Sequence, residues 1–293
     1  MLNINFFNHP LAGTPFGTVF DLCLILAAMA WLVSVVTREY SWVDRLWSIC
    51  PSIYCLIVAA SVDFDVPRLN LMLILVSLWG VRLTFNFARK GGFWKGGEDY
   101  RWGIVREKVG ELRFQVINIL FIAFGQMLII WLFIAPVHLA WLGRDMSLTW
   151  IDGVSATLFL VFLFGETMAD EQVWAFQQAK KQKIAAGEEI TQPFIKTGLF
   201  AFCRHPNYFC DISLWWVFYL FGVAATGQWL NWSGLGFIIL TLLFILTSRL
   251  VESISLERYP TYREYQESVP QLMPFTRIGC LKVRNDNGTE LLS

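Results

Sequence analysis

The sequence has few charged residues and no net charge. Only 16% of its 293 residues are Asp, Glu, Lys or Arg, and 56% are hydrophobic. A soluble domain has about a quarter charged residues, so water is not the main solvent of this chain. The 23 basic and 23 acidic residues balance, which excludes the positive field that attracts nucleic acid. We expect no nucleic-acid partner.

Cysteine and histidine are also scarce, and neither shows metal-binding spacing. The six cysteines include no CxxC pair and fall mostly in or beside apolar segments, which argues against a disulfide framework or a zinc site. The three histidines (His9, His138 and His205) are scattered along the chain, so no metal is expected. No small-residue cleavage site follows the first apolar segment, which should therefore remain in the membrane.

Long apolar segments predict an all-α, polytopic membrane protein. A bilayer core of about 30 Å is crossed by a helix of about 20 apolar residues. The sixth of seven candidate segments is short and would need to tilt or lie partly at the interface. The predicted spans are 17–37, 42–61, 69–88, 115–141, 150–172, 211–226 and 231–250.

The distribution of Lys and Arg predicts the orientation. With seven spans and the N-terminus outside, the inner segments hold 20 basic residues and the outer segments hold only Arg68 and Arg144. Cytoplasmic loops carry such an excess, which favours seven spans over six and a cytoplasmic C-terminus. We expect residues 1–275 to form one membrane-embedded domain, with 276–293 as a polar tail.

Charged residues within the predicted spans are candidates for a site, because a charge at membrane depth is energetically unfavourable. Arg82 and Asn86 lie four residues apart in the third span, and Glu166 and Asp170 lie four apart in the fifth. Each pair therefore occupies one helix face. Two interpretations stay open: an Arg–carboxylate bridge that only fixes packing, and one wall of a polar cavity that continues through Arg89.

The segment 198–211 carries the strongest signal for a binding site. Arg204 and His205 are donors suited to phosphate or carboxylate, and Asn207, Tyr208 and Asp211 follow them at a predicted helix start. The N–H groups of that helix start also attract an anion. The alternative is a basic anchor at the lipid headgroups.

A second polar segment follows the last predicted span. Tyr259, Tyr262 and Tyr265 recur every three residues after Glu252, and we expect them to line one side of a short helix. Phenols and neighbouring charges can grip an adenine, a ribose or a lipid headgroup. An interfacial aromatic belt explains the tyrosines equally well, but not Glu252.

Five segments carry a family resemblance: 41–48, 78–83, 98–101, 169–172 and 204–211. They resemble the steroid 5-alpha-reductase superfamily and, in the Arg-His-Pro-Asn-Tyr segment with its later Asp, the sterol C-14 reductases. The isoprenylcysteine carboxyl methyltransferases share an Arg-His-Pro-x-Tyr segment but bind S-adenosylmethionine, so a membrane methyltransferase is the alternative.

The resemblance to the reductases implies a function for the two halves of the chain. NADPH would bind in the C-terminal half and deliver hydride to a carbon–carbon double bond of a steroid, sterol, isoprenoid or other lipid held among the N-terminal helices. Positions matching the family pattern would hold the cofactor: Arg82, Arg89, Asp170, Arg204, His205, Asn207, Tyr208, Asp211, Glu252, Tyr259 and Tyr262.

The resemblance also implies catalytic residues. Asp44 matches a carboxylic acid that holds the substrate ketone, whereas Trp79 stands where those reductases have a tyrosine. Tyr100 or Tyr208 could replace that phenol. We expect a multi-pass protein of the bacterial inner membrane or endoplasmic reticulum, with its cofactor site facing the cytoplasm and no protein partner. A lipid-binding or transport protein is a third hypothesis, although the sequence lacks paired inverted halves.

Overall fold

The described part of the chain is almost entirely helical. A computed structural model describes residues 10–94, 96–274, 283–284 and 290–291. Within these residues a π-helical segment covers Asn118–Gly125, a 3₁₀ turn covers Gly198–Ala201, and two short strands, β1 (Val283–Arg284) and β2 (Glu290–Leu291), pair antiparallel. The α-helices are α1 (Pro15–Thr37), α2 (Trp42–Trp47), α3 (Cys50–Ala60), α4 (Pro67–Arg89), α5 (Tyr100–Val109), α6 (Glu111–Ile117), α7 (Gln126–Phe133), α8 (Pro136–Leu142), α9 (Trp150–Ala185), α10 (Pro206–Thr226), α11 (Gly234–Arg258) and α12 (Tyr262–Ser268).

The all-helical membrane architecture predicted from the sequence is confirmed, with six helices of sufficient length. Among the described residues, six helices are long and apolar enough to cross a membrane. They are α1, α4, the continuous run Glu111–Phe133, α9, α10 and α11. The protein is therefore a multi-pass integral membrane protein, while the orientation of its ends stays a prediction.

The predicted second span, 42–61, is not one helix. It is divided into α2 and α3, and α3 has only 11 residues, about 16 Å of helix. The break lies beside α4, where a Cβ on Gly80 would stand 2.6 Å from the Ser48 carbonyl oxygen. Glycine at position 80 lets α4 approach the backbone at Ser48, which is where the second span is broken.

Three predicted boundaries move. α9 has 36 residues, about 54 Å of helix, so it continues to Ala185, beyond the predicted end of the fifth span at residue 172. α10 begins at Pro206 and has 21 residues, which gives the sixth span adequate length. α11 continues to Arg258, beyond the predicted end at residue 250.

The chain forms two compact units. The first consists of the described residues of Met1–Leu160 together with Trp215–Leu240, and the second consists of those of Val161–Leu214 together with Thr241–Ser293. Each of α9, α10 and α11 contributes residues to both units. The single-domain prediction is not tested by this division. Most of the predicted tail lies outside the described residues.

Aromatic side chains fill the core of the first unit. The Trp215 ring centroid lies 4.2 Å from that of Phe133 and 4.9 Å from that of Trp79. The helices also approach closely at glycine, since a Cβ on Gly236 would stand 2.2 Å from the Leu132 carbonyl oxygen. Bulky rings and close backbone contacts therefore pack the same unit.

One fully buried ion pair holds two helix starts of the first unit together. Arg68 near the start of α4 and Asp152 near the start of α9 have side chains only 1% and 2% exposed. Arg68 Nε and Nη2 donate to the two Asp152 carboxylate oxygens at 2.7 and 3.0 Å. Further Arg68 donors reach the carbonyl oxygens of Met146 and Ser147, so the pair also fixes the loop before α9.

Arg68→Ala should lower the free energy of unfolding by about 3–5 kcal/mol, because the Asp152 carboxylate would remain buried without its partner. Thermal unfolding of the detergent-purified protein measures this. Arg144→Ala is the control, since Arg144 is exposed and its contacts among the described residues are local, with the Trp141 carbonyl oxygen and ring. Equal melting temperatures for the two variants would contradict the role given to the ion pair.

Candidate functional site

The Arg204–His205 segment before α10 is built around a buried ion pair in the second unit. Arg204 Nε and Nη2 donate to the two Glu252 carboxylate oxygens at 2.7 and 3.0 Å. His205 Nε2 lies 2.9 Å from Glu252 Oε1, and Gln266 Nε2 donates to Glu252 Oε2 at 2.7 Å. Arg204, His205 and Glu252 are each less than 10% exposed. Glu252 is therefore saturated by partners from the protein itself.

The same arginine anchors the chain after α12. Arg204 Nη1 donates to the carbonyl oxygens of Gln266, at 2.9 Å, and Val269. The Arg204 and His205 backbone N–H groups donate to the carbonyl oxygens of Pro270 and Gln271 at 2.9 and 3.1 Å. The segment 203–205 is thus paired to 270–271 through side-chain and backbone hydrogen bonds.

This geometry gives Arg204 and Glu252 a positioning role in the second unit. Arg204 has five N–H donors, and four of them are used within the described residues. The Tyr262 hydroxyl also hydrogen-bonds to the Arg204 side chain. The prediction that Arg204, His205 and Glu252 bind a cofactor directly is untested, but their main contacts are with one another.

The first turn of α10 offers groups of a different kind. The Tyr208 ring stacks on the His205 ring with centroids 5.2 Å apart and meets the edge of Phe244 at 4.9 Å. Asn207 is half-buried, and its side-chain amide has no hydrogen bond within the described residues. Because Arg204 and Glu252 hold the chain just before it, this amide is presented at a fixed position.

Carboxylates are concentrated in the interior of the second unit. Glu166 and Asp170 on α9 and Asp211 on α10 are 4%, 5% and 6% exposed. Glu166 and Asp170 lie on one helix face, as their spacing predicts, and their burial shows that this face packs against the protein. Together with Glu252, they outnumber the buried arginine of the described second unit.

The predicted tyrosine helix is partly wrong. Tyr262 and Tyr265 lie on α12, but Tyr259 precedes it, because α11 ends at Arg258 and Pro260 interrupts the chain. All three rings nevertheless surround Phe194, at centroid distances of 6.3, 4.9 and 5.6 Å in chain order. They form an aromatic cluster and are not the face of one helix.

Hydrogen bonds tie this cluster to the rest of the second unit. Tyr265 donates to the Phe200 carbonyl oxygen at 2.6 Å. Lys180 on α9 donates to the Pro193 carbonyl oxygen at 2.6 Å and to the Tyr259 hydroxyl at 3.2 Å. Burial raises the pKa of Tyr262 and of Tyr265 above the ordinary range, so both phenols stay protonated.

In the first unit, hydrogen bonds join residues 40–41 to residues 98–99, at two of the segments that carry the resemblance to the reductases. The Tyr40 backbone N–H donates to Glu98 Oε1 at 2.7 Å, and the Asp99 backbone N–H donates to Ser41 Oγ at 2.9 Å. Asp99 then caps α5. The third segment, 78–83, contacts the first through Gly80 and the Ser48 carbonyl oxygen. Three motifs that are separate in sequence are therefore neighbours in this unit.

Asp44, a predicted catalytic residue, belongs to this cluster. Trp102 Nε1 donates to Asp44 Oδ2 at 3.3 Å. Asp44 lies on α2, outside the six long apolar helices. Loss of hydration raises the pKa of Asp44, the hydrogen bond with Ser41 and the charge of Arg101 oppose the rise, and the charge of Asp99 adds to it. A carboxyl in this state can serve as a proton donor.

The other residues predicted in the first unit have contrasting environments. Trp79 is fully buried, whereas Tyr100 is 58% exposed and has no dry surroundings for catalysis. Arg89 Nε and Nη2 donate to Asn86 Oδ1 at 3.0 and 2.9 Å, and Arg82 is half-buried on the same helix. Their predicted contact with cofactor phosphates stays a prediction.

Gln266 was missed by the sequence prediction. It accepts from Arg204 through its backbone and donates to Glu252 through its side chain. A glutamine in a polar segment carries no signal of such a role, because its partners are 62 and 14 residues away. Only the return of the chain after α12 brings it to the ion pair.

Comparison with known proteins gives the family. Residues 30–269 match the family described as a protein of unknown function (DUF1295). The chain belongs to the DUF1295 family. This DUF1295 protein is similar to "Uncharacterized protein C594.04c" of Schizosaccharomyces pombe, with 34% identity over 285 residues that cover 92% of this chain and 83% of the relative. No solved structure matches the chain significantly.

In the DUF1295 chain, Glu252→Ala should lower the free energy of unfolding by about 3–5 kcal/mol, because the Arg204 guanidinium would stay buried without its carboxylate. The melting temperature in detergent measures the effect. Glu264→Ala, on the exposed side of α12, is the control and should change stability by less than about 0.5 kcal/mol. A small effect of both substitutions would show that Arg204 is not held by this pair.

Asp44→Asn should make stability less sensitive to pH. With a raised pKa, Asp44 binds its proton more tightly when folded than when unfolded, so wild-type stability falls as pH rises from the ordinary value of about 3.9 towards the folded pKa. The variant cannot lose that proton. Its melting temperature relative to wild type should therefore be higher at pH 8 than at pH 5.

The exposed residue Asp145 provides the control for this comparison. Asp145→Asn should leave the difference between the two pH values as it is in wild type. A relative melting temperature of Asp44→Asn that falls between pH 5 and pH 8 would contradict the raised pKa.

Proposed function

We propose that this DUF1295 protein is an NADPH-dependent membrane reductase that reduces a carbon–carbon double bond of a steroid, sterol, isoprenoid or other lipid. The observation that supports a bound polar cofactor is the interior of the second unit. There the Arg204–Glu252 pair fixes the start of α10 and presents the unused Asn207 amide beside the Tyr208 ring. The reductase assignment itself rests on the motif resemblance.

The residues of the second unit fit part of a dinucleotide. A carboxamide such as that of Asn207 both donates and accepts hydrogen bonds, which suits ribose hydroxyls or a nicotinamide amide. Tyr208 offers an aromatic face, and the buried carboxylates Asp170 and Asp211 can accept from ribose. Phosphate binding needs basic groups, and the predicted ones, Arg82 and Arg89, belong to the first unit.

NADPH supplies hydride chemistry, so the protein must bind, orient and protonate. Asp44, with its raised pKa, is the candidate for holding a proton near a substrate carbonyl. Trp79 is fully buried, and its indole N–H can donate a hydrogen bond but cannot release a proton at neutral pH. In this proposal the proton therefore comes from Asp44.

One observation favours a second candidate, a methyltransferase that uses S-adenosylmethionine. The buried Asp, Glu and Arg side chains of the described second unit are mainly acidic: Glu166, Asp170, Asp211 and Glu252 against Arg204. Acidic side chains suit a sulfonium cation and ribose hydroxyls better than they suit phosphates. The nature of the cofactor is therefore the first property to measure.

The cofactor is tested by thermal unfolding of the full chain in detergent with NADPH, NADH, S-adenosylmethionine or no ligand. A ligand present at about 100 times its dissociation constant adds about 2.7 kcal/mol to the stability of the folded state. We expect stabilisation by NADPH alone. Stabilisation by S-adenosylmethionine alone would replace the reductase proposal with the methyltransferase, and no stabilisation by any of them would remove both.

A pair of variants locates the binding. Asn207→Ala should leave the melting temperature of the free protein unchanged, because this amide has no hydrogen bond within the described residues, and should abolish the NADPH-dependent rise. Gln177→Ala, an exposed position on α9, should keep the full rise. If Asn207→Ala retains the rise, the cofactor does not contact the start of α10.

A further inference from the structure

A cavity of about 450 Å³ opens between the start of α4 and the loop that joins α8 to α9. Its walls are Pro67, Arg68 and residues 144–148, all of which belong to the first unit. Ligand sites in proteins have volumes of about 300–1,000 Å³. The cavity is therefore large enough for a small ligand or for the headgroup of a lipid.

The buried ion pair of the first unit gives this cavity a fixed wall. Arg68 donates to the carbonyl oxygens of Met146 and Ser147 at 3.2 and 2.8 Å, while Asp152 neutralises its charge. Asp152 also accepts from the Thr149 backbone N–H at 2.7 Å. The loop is therefore held in place before any ligand binds.

Two adjacent residues of opposite charge line the cavity, and both are exposed. Arg144 Nη1 donates to the Trp141 carbonyl oxygen at 3.2 Å, and the guanidinium carbon lies 4.9 Å from the centroid of the Trp141 ring. These contacts hold the guanidinium and leave most of its five N–H donors unused within the described part of the chain. The Asp145 carboxylate has no hydrogen bond or ion pair with the described residues.

The place of the cavity along the spanning helices indicates that lipid surrounds it. α4 begins at Pro67 and α9 begins at Trp150, and both helices are long and apolar enough to cross a membrane. The cavity therefore lies where two spans begin, at the depth of the lipid headgroups. Met146 and Leu148 on its wall are 59% and 50% exposed, and Trp150, which follows in the chain, is 73% exposed. Exposed apolar side chains at this depth suit contact with acyl chains.

The charges discriminate among lipid headgroups. Arg68 is paired with Asp152, and Arg144 is balanced by the neighbouring Asp145, so the cavity has no net positive charge that would favour an anionic lipid. One exposed cation beside one exposed anion matches a zwitterionic headgroup. A phosphodiester accepts hydrogen bonds from a guanidinium. A primary ammonium can donate to a carboxylate, whereas a trimethylammonium has no N–H to donate.

We propose that this cavity binds the headgroup of phosphatidylethanolamine, with the phosphodiester at Arg144 and the primary ammonium at Asp145. The acyl chains lie against the exposed apolar side chains beside the cavity. The site uses the first unit alone and needs no cofactor, so it is independent of the proposed reductase activity. A soluble phosphate ester with the same polar group is the competing occupant.

Native mass spectrometry of the full chain, released from detergent, measures the bound lipid. The probes are phosphatidylethanolamine, phosphatidylcholine and phosphatidylglycerol with identical acyl chains. For wild type we expect the ethanolamine lipid to bind about threefold to tenfold more tightly than the choline lipid, the worth of one hydrogen bond. Glycerophosphoethanolamine, which lacks acyl chains, should leave the bound lipid in place. Displacement at equal concentration would identify a soluble phosphate ester as the occupant.

Two variants separate the roles of the two charges. Asp145→Asn should reduce binding of the ethanolamine lipid to the level of the choline lipid, leave the choline lipid unchanged and increase binding of phosphatidylglycerol, because the cavity gains a net positive charge. Arg144→Gln should weaken the ethanolamine and choline lipids by the same factor, because both carry the phosphodiester. The matched controls are Asp65→Asn and Arg113→Gln, which change exposed residues of the first unit outside the cavity wall. Both controls should bind the lipids as wild type does.

Several results would overturn the proposal. One is equal binding of the ethanolamine and choline lipids by wild type, and another is a preference for ethanolamine that survives Asp145→Asn. Loss of the preference in Asp65→Asn would assign it to the charge of the whole surface and not to the cavity. Melting temperatures within a few degrees of wild type show that each variant is folded. If a cavity variant is unstable, the comparison of the lipids on wild type, with the glycerophosphoethanolamine competition, decides.

Discussion

A polar group in a bilayer must find its partner inside the protein, and much of this structure follows from that constraint. Arg68 is buried and is neutralised by Asp152, which joins the starts of two spanning helices. Arg204 is buried and is neutralised by Glu252, which joins the start of α10 to α11 and the chain after α12. Within each unit, one arginine with several N–H donors binds buried oxygen atoms that water would bind in a soluble protein.

The same constraint changes the meaning of the motifs. In a soluble protein, Arg204 and His205 before a helix would be free to hold a phosphate, but here both are directed at Glu252. Their neighbour Asn207, which attracts less attention in the sequence, keeps its amide available. One short segment can therefore contain residues that fix the backbone and a residue whose side chain is available to a ligand. The buried nitrogen atoms of His138 and Trp131 show the opposite case, because the described residues supply no hydrogen-bond partner for them.

Local sequence features predicted the helices better than their limits. Apolar runs identified every long helix, but α9 and α11 continue beyond the apolar part as polar helix. Hydropathy reports where a helix is in lipid and not where its hydrogen bonding ends. Tyr259 was assigned to the wrong helix because Pro260 interrupts a regular spacing of tyrosines. The second span is broken beside the contact between Gly80 and the Ser48 carbonyl oxygen. These two residues are 32 positions apart in the sequence, so their contact leaves no signal in the hydropathy of the span.

The sequence alone determined that this is a multi-pass helical protein, because the length and apolarity of a spanning helix are local properties. It also identified Arg204, His205, Glu252 and Asp44 as residues of interest, since charge is conspicuous in an apolar chain. The tertiary structure decided which of them pair with one another and which keep groups for a ligand. Those choices depend on contacts such as Gln266 with Arg204, 62 residues apart, and the physical reason is that a hydrogen bond is set by distance in space.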